Sequence, residues 1–291
     1  MDIYEKDNMV VVENICDFHI DQIFDSGQGF RWKKQDDNSY TCVVKGKIIN
    51  VSQIGNVLYL RNTNIDDFKN LWYKYFSLDV DYSSIKDKIS KIDDNLKDAV
   101  EFGHGLRILD HDEWEMLITF ILSTNNSIQM VTKVIDTLCE RYGDYIGEYE
   151  GEKYYAFPTP QKLASLSLDE LRECKTGFRD KYIKSVSEIV STNQLDLYSL
   201  SNLDSDDCIN NLKSLSGVGM KVADCIAMFS MRKCDIFPVD IWMKRVMTEF
   251  YLDTDMSIPK IRSFAIEKFG YLSSYVQQYL FYYAREKNIG K

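Results

Sequence analysis

Prolines, glycines and long apolar runs are all scarce in this chain. It has four prolines and 14 glycines among 291 residues, which excludes collagen-like and low-complexity proteins. No apolar run reaches the roughly 18 residues that a membrane-spanning helix needs. The N-terminus, MDIYEKDN, is polar and acidic, unlike a signal peptide or a basic transit peptide. We therefore expect a cytoplasmic protein with no membrane partner.

The cysteines lack the spacing of a metal site. There are seven of them, they are scattered, and no two form a CxxC pair. Neither a disulfide framework nor a structural zinc is therefore expected. The cysteines are predicted to be free thiols in a reducing compartment.

The chain as a whole also has no excess of basic over acidic residues. The net charge is −10, from 35 basic and 45 acidic residues, and by itself this argues against a nucleic-acid partner. The local distribution differs, because residues 213–245 contain six basic and three acidic side chains, and residues 172–184 contain five and two. Since phosphate contact requires only a basic face, such a face on an acidic body is predicted.

Hydrophobic patterns predict an α+β chain. A small antiparallel β-rich domain, residues 1–103, is expected to precede a mostly α-helical domain, residues 104–291. In the first, residues 40–53 and 56–63 are rich in β-branched and aromatic side chains, and a Gly55-Asn56 turn separates them. Helical periodicity begins near Asp81. The clearest helix starts near Asp112 and is interrupted by the polar segment STNNS, residues 123–127.

The segment LSGVGMKVADC, residues 215–225, predicts a tight hairpin between two helices. Gly217 and Gly219 permit positive φ and let the backbone approach a ligand closely. The N-terminal amides of the second helix suit a phosphate. Lys221 lies at this helix start, where the helix dipole disfavours a cation. The hairpin alone is equally compatible with an ordinary helical corner that carries a surface lysine.

An aspartate follows Lys221 at a spacing of nineteen residues. Pro238 ends the preceding segment, and Asp240 occupies the N-cap position of the next predicted helix. A capping aspartate usually has no other role. In this order and spacing, however, the glycine hairpin, the lysine and the aspartate resemble the helix-hairpin-helix DNA glycosylase superfamily. The iron–sulfur branch is excluded because no cysteine follows Cys234.

Within that superfamily the chain resembles 8-oxoguanine DNA glycosylase/AP lyase. The resemblance extends from Gly27 to Phe281 and implies base excision repair of duplex DNA that contains 8-oxoguanine. It implies a monomer that needs no cofactor and that is nucleoid-associated if the protein is bacterial. It also implies that the hairpin can hold a monovalent cation with no catalytic role. The matching segments are SGQGFRW (26–32), ILSTNNSIQM (121–130), GFRDKYI (177–183), GVGMKVADC (217–225), PVDIWM (238–243) and YVQQYLF (275–281).

The resemblance assigns the chemistry to two residues. Lys221 is the nucleophile that attacks C1′ of the flipped nucleotide and forms a Schiff base, after which β-elimination cleaves the abasic strand. Only the free amine is nucleophilic, so a position that disfavours the cation suits this role. Asp240 would stabilise the positive charge that develops on the sugar.

Four residues are assigned to the base pocket by the same resemblance. The carbonyl of Gly27 would accept a hydrogen bond from N7–H, which guanine lacks. Gln277 would read the Watson–Crick edge, and Phe281 and Cys225 would contact the two faces of the extruded base. Without the resemblance, Phe281 and Cys225 would be interpreted as core residues.

Further residues are assigned to the DNA around the flipped base. Asn125 would fill the gap in the stack, with Asn126 beside it at the DNA. Phe178 would insert into the stack, and Arg179 would donate to the orphaned cytosine.

Two positions depart from the family pattern. Met130 stands where the family commonly has a second arginine that reads the cytosine, and a thioether cannot donate hydrogen bonds. A relaxed preference for the opposite base is therefore predicted, with a loss of about 1–3 kcal/mol of discrimination. Trp242 stands where the family often has a histidine near a phosphate, which leaves open how that phosphate is held.

Two alternatives stay open at this point. A glycosylase of the same fold could act on another damaged base, although Gly27, Gln277 and Phe281 argue against it. A non-catalytic DNA-binding module would use the hairpin only to bind phosphate. That alternative explains the basic residues but neither Asp240 nor the polar break at 123–127.

Overall fold

The N-terminal region is built around one antiparallel sheet. The computed structural model describes residues 1–252 and 254–290. The sheet has six strands in the order β1-β2-β6-β5-β4-β3, which confirms the predicted β-rich region. The strands are β1 (Asp2–Lys6), β2 (Met9–Glu13), β3 (Lys33–Lys34), β4 (Tyr40–Val44), β5 (Lys47–Ile54) and β6 (Val57–Arg61).

The predicted Gly55-Asn56 turn joins β5 and β6. Ile54 pairs with Val57, so the loop contains two residues, and Gly55 has a φ of +58°. Residues 40–53 form two strands, however, and not one arm of a hairpin. A turn separates these strands at Lys45 and Gly46, which both have positive φ. A lysine in the left-handed region gives no signal in the sequence, because only the glycine is typical of it.

Helices begin earlier than the predicted change near Asp81. Asn64 caps a helical segment by accepting a hydrogen bond from the Asp67 amide at 2.8 Å, and a π-helix, Phe68–Trp72, joins its two α-helical turns. The insertion of a π turn disrupts the regular helical period. Including this segment, the helices are α1 (Ile20–Phe24), α2 (Ile65–Asp67), α3 (Tyr73–Tyr75), α4 (Tyr82–Ser90), α5 (Asp94–Phe102), α6 (Glu113–Ser123), α7 (Ile128–Tyr142), α8 (Pro160–Ser165), α9 (Leu168–Glu173), α10 (Asp180–Ser191), α11 (Ser205–Lys213), α12 (Met220–Ser230), α13 (Ile241–Tyr251), α14 (Ile258–Phe269) and α15 (Ser273–Lys287).

The second half of the chain is mostly helical, as predicted. One feature was not anticipated: a two-stranded antiparallel hairpin, β7 (Tyr145–Tyr149) and β8 (Glu152–Tyr155), follows α7. The predicted break at 123–127 is present, since α6 ends at Ser123 and α7 begins at Ile128. Ser127 caps α7 by accepting a hydrogen bond from the Met130 amide at 3.3 Å.

In the part of the chain that the structure describes, three hydrophobic cores hold these elements together. The sheet packs on α1 and the 65–75 helical segment, and a second core lies between α6, α7 and α10–α12. Helices α4 and α5 share the third core with α13–α15. The division into domains 1–103 and 104–291 stays a prediction, and helices on both sides of residue 103 contribute to this third core. Among the described residues, no helix has both the length and the apolar character needed to cross a membrane.

Candidate active site

The hairpin between α11 and α12 needs its first glycine for steric reasons. Gly217 has a φ of +83°, and a Cβ there would lie 2.7 Å from the Tyr182 ring. Gly219 differs from the prediction, because its φ is −87° and it is the extended N-cap of α12. A Cβ at Gly219 would meet no atom within 4 Å. The absent side chain therefore leaves the N-terminal amides of α12 open on that side.

Lys221 lies in the first turn of α12 and is half-buried. Its Nζ is 5.4 Å from the centroid of the Phe120 ring, which stacks on Phe229 with centroids 5.7 Å apart. Ring faces of this kind attract a cation. The sequence did not single out these two aromatic residues, since both fall within apolar helical segments that are typical of a core.

Asp240 is the N-cap of α13, as predicted. Its Oδ1 accepts a hydrogen bond from the Met243 amide at 2.7 Å, which fixes the orientation of the carboxylate. The helix is anchored by Met243, Val246 and Met247, all fully buried. The carboxylate is half-buried and borders the same cleft as Lys221.

All six residues predicted for catalysis and base recognition line this one cleft. They come from three separate parts of the chain: the loop after α1, helices α12 and α13, and helix α15. The residues that line the cleft are Ser26, Gly27, Phe120, Lys221, Cys225, Phe229, Pro238, Asp240, Gln277, Gln278 and Phe281.

Gln277 and Cys225 contribute buried polar groups to the cleft. Gln277 is 7% exposed, and its Oε1 has no hydrogen-bond partner among the described residues. A buried acceptor left without a donor is costly, so this atom is available to a ligand. Burial raises the pKa of the Cys225 thiol to about 11, against the opposing effect of Lys221. The thiol is therefore neutral near pH 7.

The helix that contains Lys221 is held in place by a buried ion pair. Asp224, in the next turn of α12, is fully buried, and Arg262 of α14 donates to both of its oxygens at 2.7 and 2.8 Å. Burial nevertheless raises the pKa of Asp224, with Arg262 opposing that effect. The sequence analysis assigned no role to this pair, because nothing in the pattern links residues 38 positions apart.

The residues predicted to contact DNA lie on an exposed rim. Asn125 is exposed with a φ of +50°, and Phe178 and Met130 are 58% and 39% exposed. Asn126 is partly buried, and its amide donates to the Leu122 carbonyl at 3.3 Å. Large apolar side chains that remain in solvent are typical of an interaction surface.

Arg179 is not freely exposed beside these residues. It is 7% exposed, and its guanidinium donates to the carbonyls of Thr124 and, at 3.3 Å, Asn125. The guanidinium also lies 4.4 Å from the centroid of the Phe178 ring. Arg179 therefore holds the 123–127 turn in this conformation. Trp242 is partly buried and packs against the core formed by α4, α5 and α13–α15.

Several basic residues counted in the sequence are engaged elsewhere. Arg232 pairs with Asp79 at 2.9 Å, and Lys233 donates to the Ser201 carbonyl at 3.0 Å. Arg172 pairs with Asp180 at 2.6 Å. The basic face is consequently smaller than the local charge count implies.

Three features together define a helix-hairpin-helix base-excision enzyme. They are the hairpin with an open helix N-terminus, the lysine and the aspartate at one cleft, and the helical body. Residues 118–269 match the HhH-GPD superfamily of base excision DNA repair proteins. Residues 10–117 match the N-terminal domain of 8-oxoguanine DNA glycosylase. The chain belongs to the 8-oxoguanine DNA glycosylase family of the HhH-GPD superfamily.

Individual relatives agree with this assignment. The crystal structure of an 8-oxoguanine glycosylase/lyase from Clostridium acetobutylicum, in complex with dsDNA containing cytosine opposite 8-oxoG, superposes with a TM-score of 0.96. It is 44% identical, and the match covers 99% of each chain. A probable N-glycosylase/DNA lyase from Methanothermobacter thermautotrophicus is 31% identical over 74% of this chain and 72% of its own. The N-glycosylase/DNA lyase of Saccharomyces cerevisiae is 32% identical over 79% and 67%.

Proposed function

We propose that this protein removes 8-oxoguanine from duplex DNA and then cleaves the abasic strand, as a bifunctional DNA N-glycosylase/AP lyase in base excision repair. The observation that carries the proposal is the convergence of Lys221, Asp240, Gly27 and Gln277 in one cleft. A module that only binds DNA has no use for a lysine and a carboxylate that line the same cleft. Duplex DNA is the partner, and the protein acts as a monomer.

Lys221 and Asp240 carry the reaction. The free amine of Lys221 attacks C1′, the N-glycosidic bond breaks, and its electron pair leaves with the base, which takes up a proton. Loss of the amine protons and opening of the sugar ring give a Schiff base between Nζ and C1′. Removal of a proton from C2′ then expels the 3′ phosphate by β-elimination. The Asp240 carboxylate stabilises the positive charge at C1′ during base departure.

Recognition of the base depends on residues from distant parts of the chain. The Gly27 carbonyl accepts from N7–H of the oxidised base, and Gln277 pairs with the Watson–Crick edge. Phe281 stacks on one face of the base, and the neutral Cys225 thiol lies against the other. Guanine offers a lone pair at N7, so its N7 repels the same carbonyl.

The exposed rim contacts the DNA that surrounds the extruded nucleotide. Asn125 and Asn126 occupy the gap in the duplex, Phe178 inserts into the stack, and Arg179 donates to the unpaired cytosine after leaving the Thr124 carbonyl. Trp242, in the first turn of α13, lies near a neighbouring phosphate.

No organic cofactor and no catalytic metal takes part, since an amine and a carboxylate supply the chemistry. The backbone carbonyls of the hairpin around Gly217 and Gly219 would hold a monovalent cation, which would supply positive charge for a DNA phosphate and take no part in catalysis. The hairpin fits such an ion, because carbonyl oxygens suit hard cations and the Gly219 position is open on its outer side.

Borohydride trapping tests this function directly. Sodium borohydride reduces a Schiff base to a stable amine, so an active enzyme becomes covalently attached to its DNA. We expect trapping on duplexes with one 8-oxoguanine opposite C, A, G or T, and similar yields opposite C and A. An absence of trapping on all four duplexes contradicts the proposed substrate. Trapping on duplexes with other damaged bases would then identify a glycosylase for another lesion. No trapping on any damaged base would identify a binding module.

Introducing an arginine at position 130 should restore selectivity for the opposite base. Met130 lies in the first turn of α7 on the exposed rim, so Met130→Arg adds a donor without disturbing the core. We expect the ratio of excision rates opposite C and opposite A to rise by about 5- to 150-fold, the value of one specific contact of 1–3 kcal/mol. Met130→Lys is the matched control, because it adds the positive charge without the planar guanidinium group that can donate two parallel hydrogen bonds. An equal ratio in Met130→Arg and wild type contradicts the role of this position.

A further inference from the structure

The loop that carries Gly27 depends on tertiary contacts for its shape. Residues 25–29 form neither a helix nor a strand, and Gly27 has a φ of +85°. A Cβ at Gly27 would lie 3.4 Å from the Phe281 ring. The backbone therefore runs directly against the cleft. An irregular segment of this kind holds one position only where neighbouring groups bind its polar atoms.

Gln28 supplies most of these bonds from one side. Its side chain is completely buried, and its Nε2 donates to the Ser26 hydroxyl at 2.8 Å and to the Arg107 carbonyl at 2.7 Å. A third, longer contact reaches the Ile23 carbonyl at 3.3 Å. Its Oε1 accepts from the Leu109 amide at 2.8 Å. The glutamine thereby joins the loop to the irregular segment 106–109 that leads towards α6.

Helix α15 binds the same loop from the opposite side. Gln278, which is 2% exposed, lies 3.5 Å from the Ser26 carbonyl, and Arg285 donates to the Asp25 carbonyl. The same helix carries Gln277 and Phe281 into the cleft. The bonds on both sides therefore define the distance between the loop and the helix that together enclose the base.

We propose that Gln28 is a positioning residue that determines how well the enzyme selects the oxidised base, by holding the Gly27 backbone at the cleft. The inference rests on the proposed function, in which the Gly27 carbonyl reads N7–H. One acceptor atom distinguishes the two bases, so a shift of about 1 Å in that atom removes the distinction. Gln28 is not expected to affect Lys221, which lies on a different element.

This separation predicts an unequal effect on two reactions of the same enzyme. Excision of 8-oxoguanine requires recognition of the base, whereas borohydride trapping at a preformed abasic site requires only Lys221 and the sugar. For Gln28→Met, which keeps the length of the side chain but not its hydrogen bonds, we expect single-turnover excision to fall by about tenfold or more. Trapping at the abasic site should stay within about twofold of wild type.

Gln53→Met is the matched control. Gln53 also lies in the N-terminal region and makes three hydrogen bonds, to the Phe18 and Gly55 carbonyls at 2.8 and 3.0 Å and from the Ile20 amide at 3.0 Å. It does not line the cleft. We expect Gln53→Met to leave the ratio of 8-oxoguanine excision to abasic-site trapping unchanged. If Gln28→Met does not fold, Ser26→Ala removes part of the same network and should lower the ratio by about threefold.

The outcomes separate the two proposals. The positioning role is overturned if folded Gln28→Met keeps the wild-type ratio of 8-oxoguanine excision to abasic-site trapping. This includes the case in which both reactions are slowed equally. If wild type is trapped at abasic sites but excises no 8-oxoguanine, the proposed substrate is wrong, whatever the variants do.

Discussion

Lys221→Gln should abolish the covalent intermediate. Glutamine keeps much of the length of the side chain but has no nucleophilic amine, so no Schiff base can form with C1′. We expect borohydride trapping to disappear and strand cleavage to fall by at least about a thousandfold, a loss typical of removing a nucleophile. The measurement is trapping and single-turnover cleavage on a duplex with 8-oxoguanine opposite cytosine.

Lys213→Gln is the control for this variant. Lys213 is exposed in the last turn of α11, on the other side of the hairpin, and it does not line the cleft. We expect it to be trapped normally and to bind DNA slightly less tightly, through the loss of one cation. Lys221→Gln should still bind the duplex. Persistent trapping of Lys221→Gln would show that another amine is the nucleophile.

Asp240→Asn should separate the catalytic role of this residue from its capping role. Asparagine caps a helix about as well as aspartate, so the Met243 amide keeps its acceptor and the thermal midpoint should change little. The negative charge is lost, however, and the developing charge at C1′ loses its partner. We expect the rate of base release to fall by about 10²- to 10³-fold, measured by single-turnover kinetics with the melting temperature determined in parallel.

The matched control is Asp204→Asn. Asp204 caps α11 in the same way, by accepting from the Asp207 amide at 2.8 Å, and it does not line the cleft. Both variants therefore lose one negative charge at a helix N-cap, and only one should lose activity. A normal rate for Asp240→Asn, or a similar loss in both variants, contradicts the catalytic assignment.

The local elements of this fold were readable because their signals lie close together in the chain. Asp112 and Asp240 each cap the helix that follows, and in each case the side chain accepts from an amide three residues later. The Gly55-Asn56 turn likewise depends on two adjacent residues. The turn at Lys45-Gly46 and the β7–β8 hairpin were missed because each turn places a charged residue, Lys45 or Glu150, at positive φ, which local preference does not predict. The π-helix was missed because it disrupts the helical period.

The residues of the candidate site were proposed from a resemblance, and their assembly could not be derived from periodicity. Gly27 and Phe281 lie 254 positions apart in the chain, yet a Cβ on the first would contact the ring of the second. Phe120 and Phe229 were indistinguishable from core residues. The spacing of apolar residues indicates that one face of a helix is buried, but not which residues pack against that face. Gln28 gave no signal either, since a buried glutamine and a surface glutamine look the same in a sequence.

The α+β class, the Gly55-Asn56 turn and the order of hairpin, lysine and aspartate could be predicted from the chain, because each of these depends on neighbouring residues. Which side chains face the cleft, and how the Gly27 loop is held, could be learned only from the folded protein. The tertiary structure also showed that Arg232, Lys233 and Arg172 are engaged in contacts within the protein. These properties depend on packing between distant segments, where the free energy of burial and hydrogen bonding selects one arrangement that local preferences do not specify.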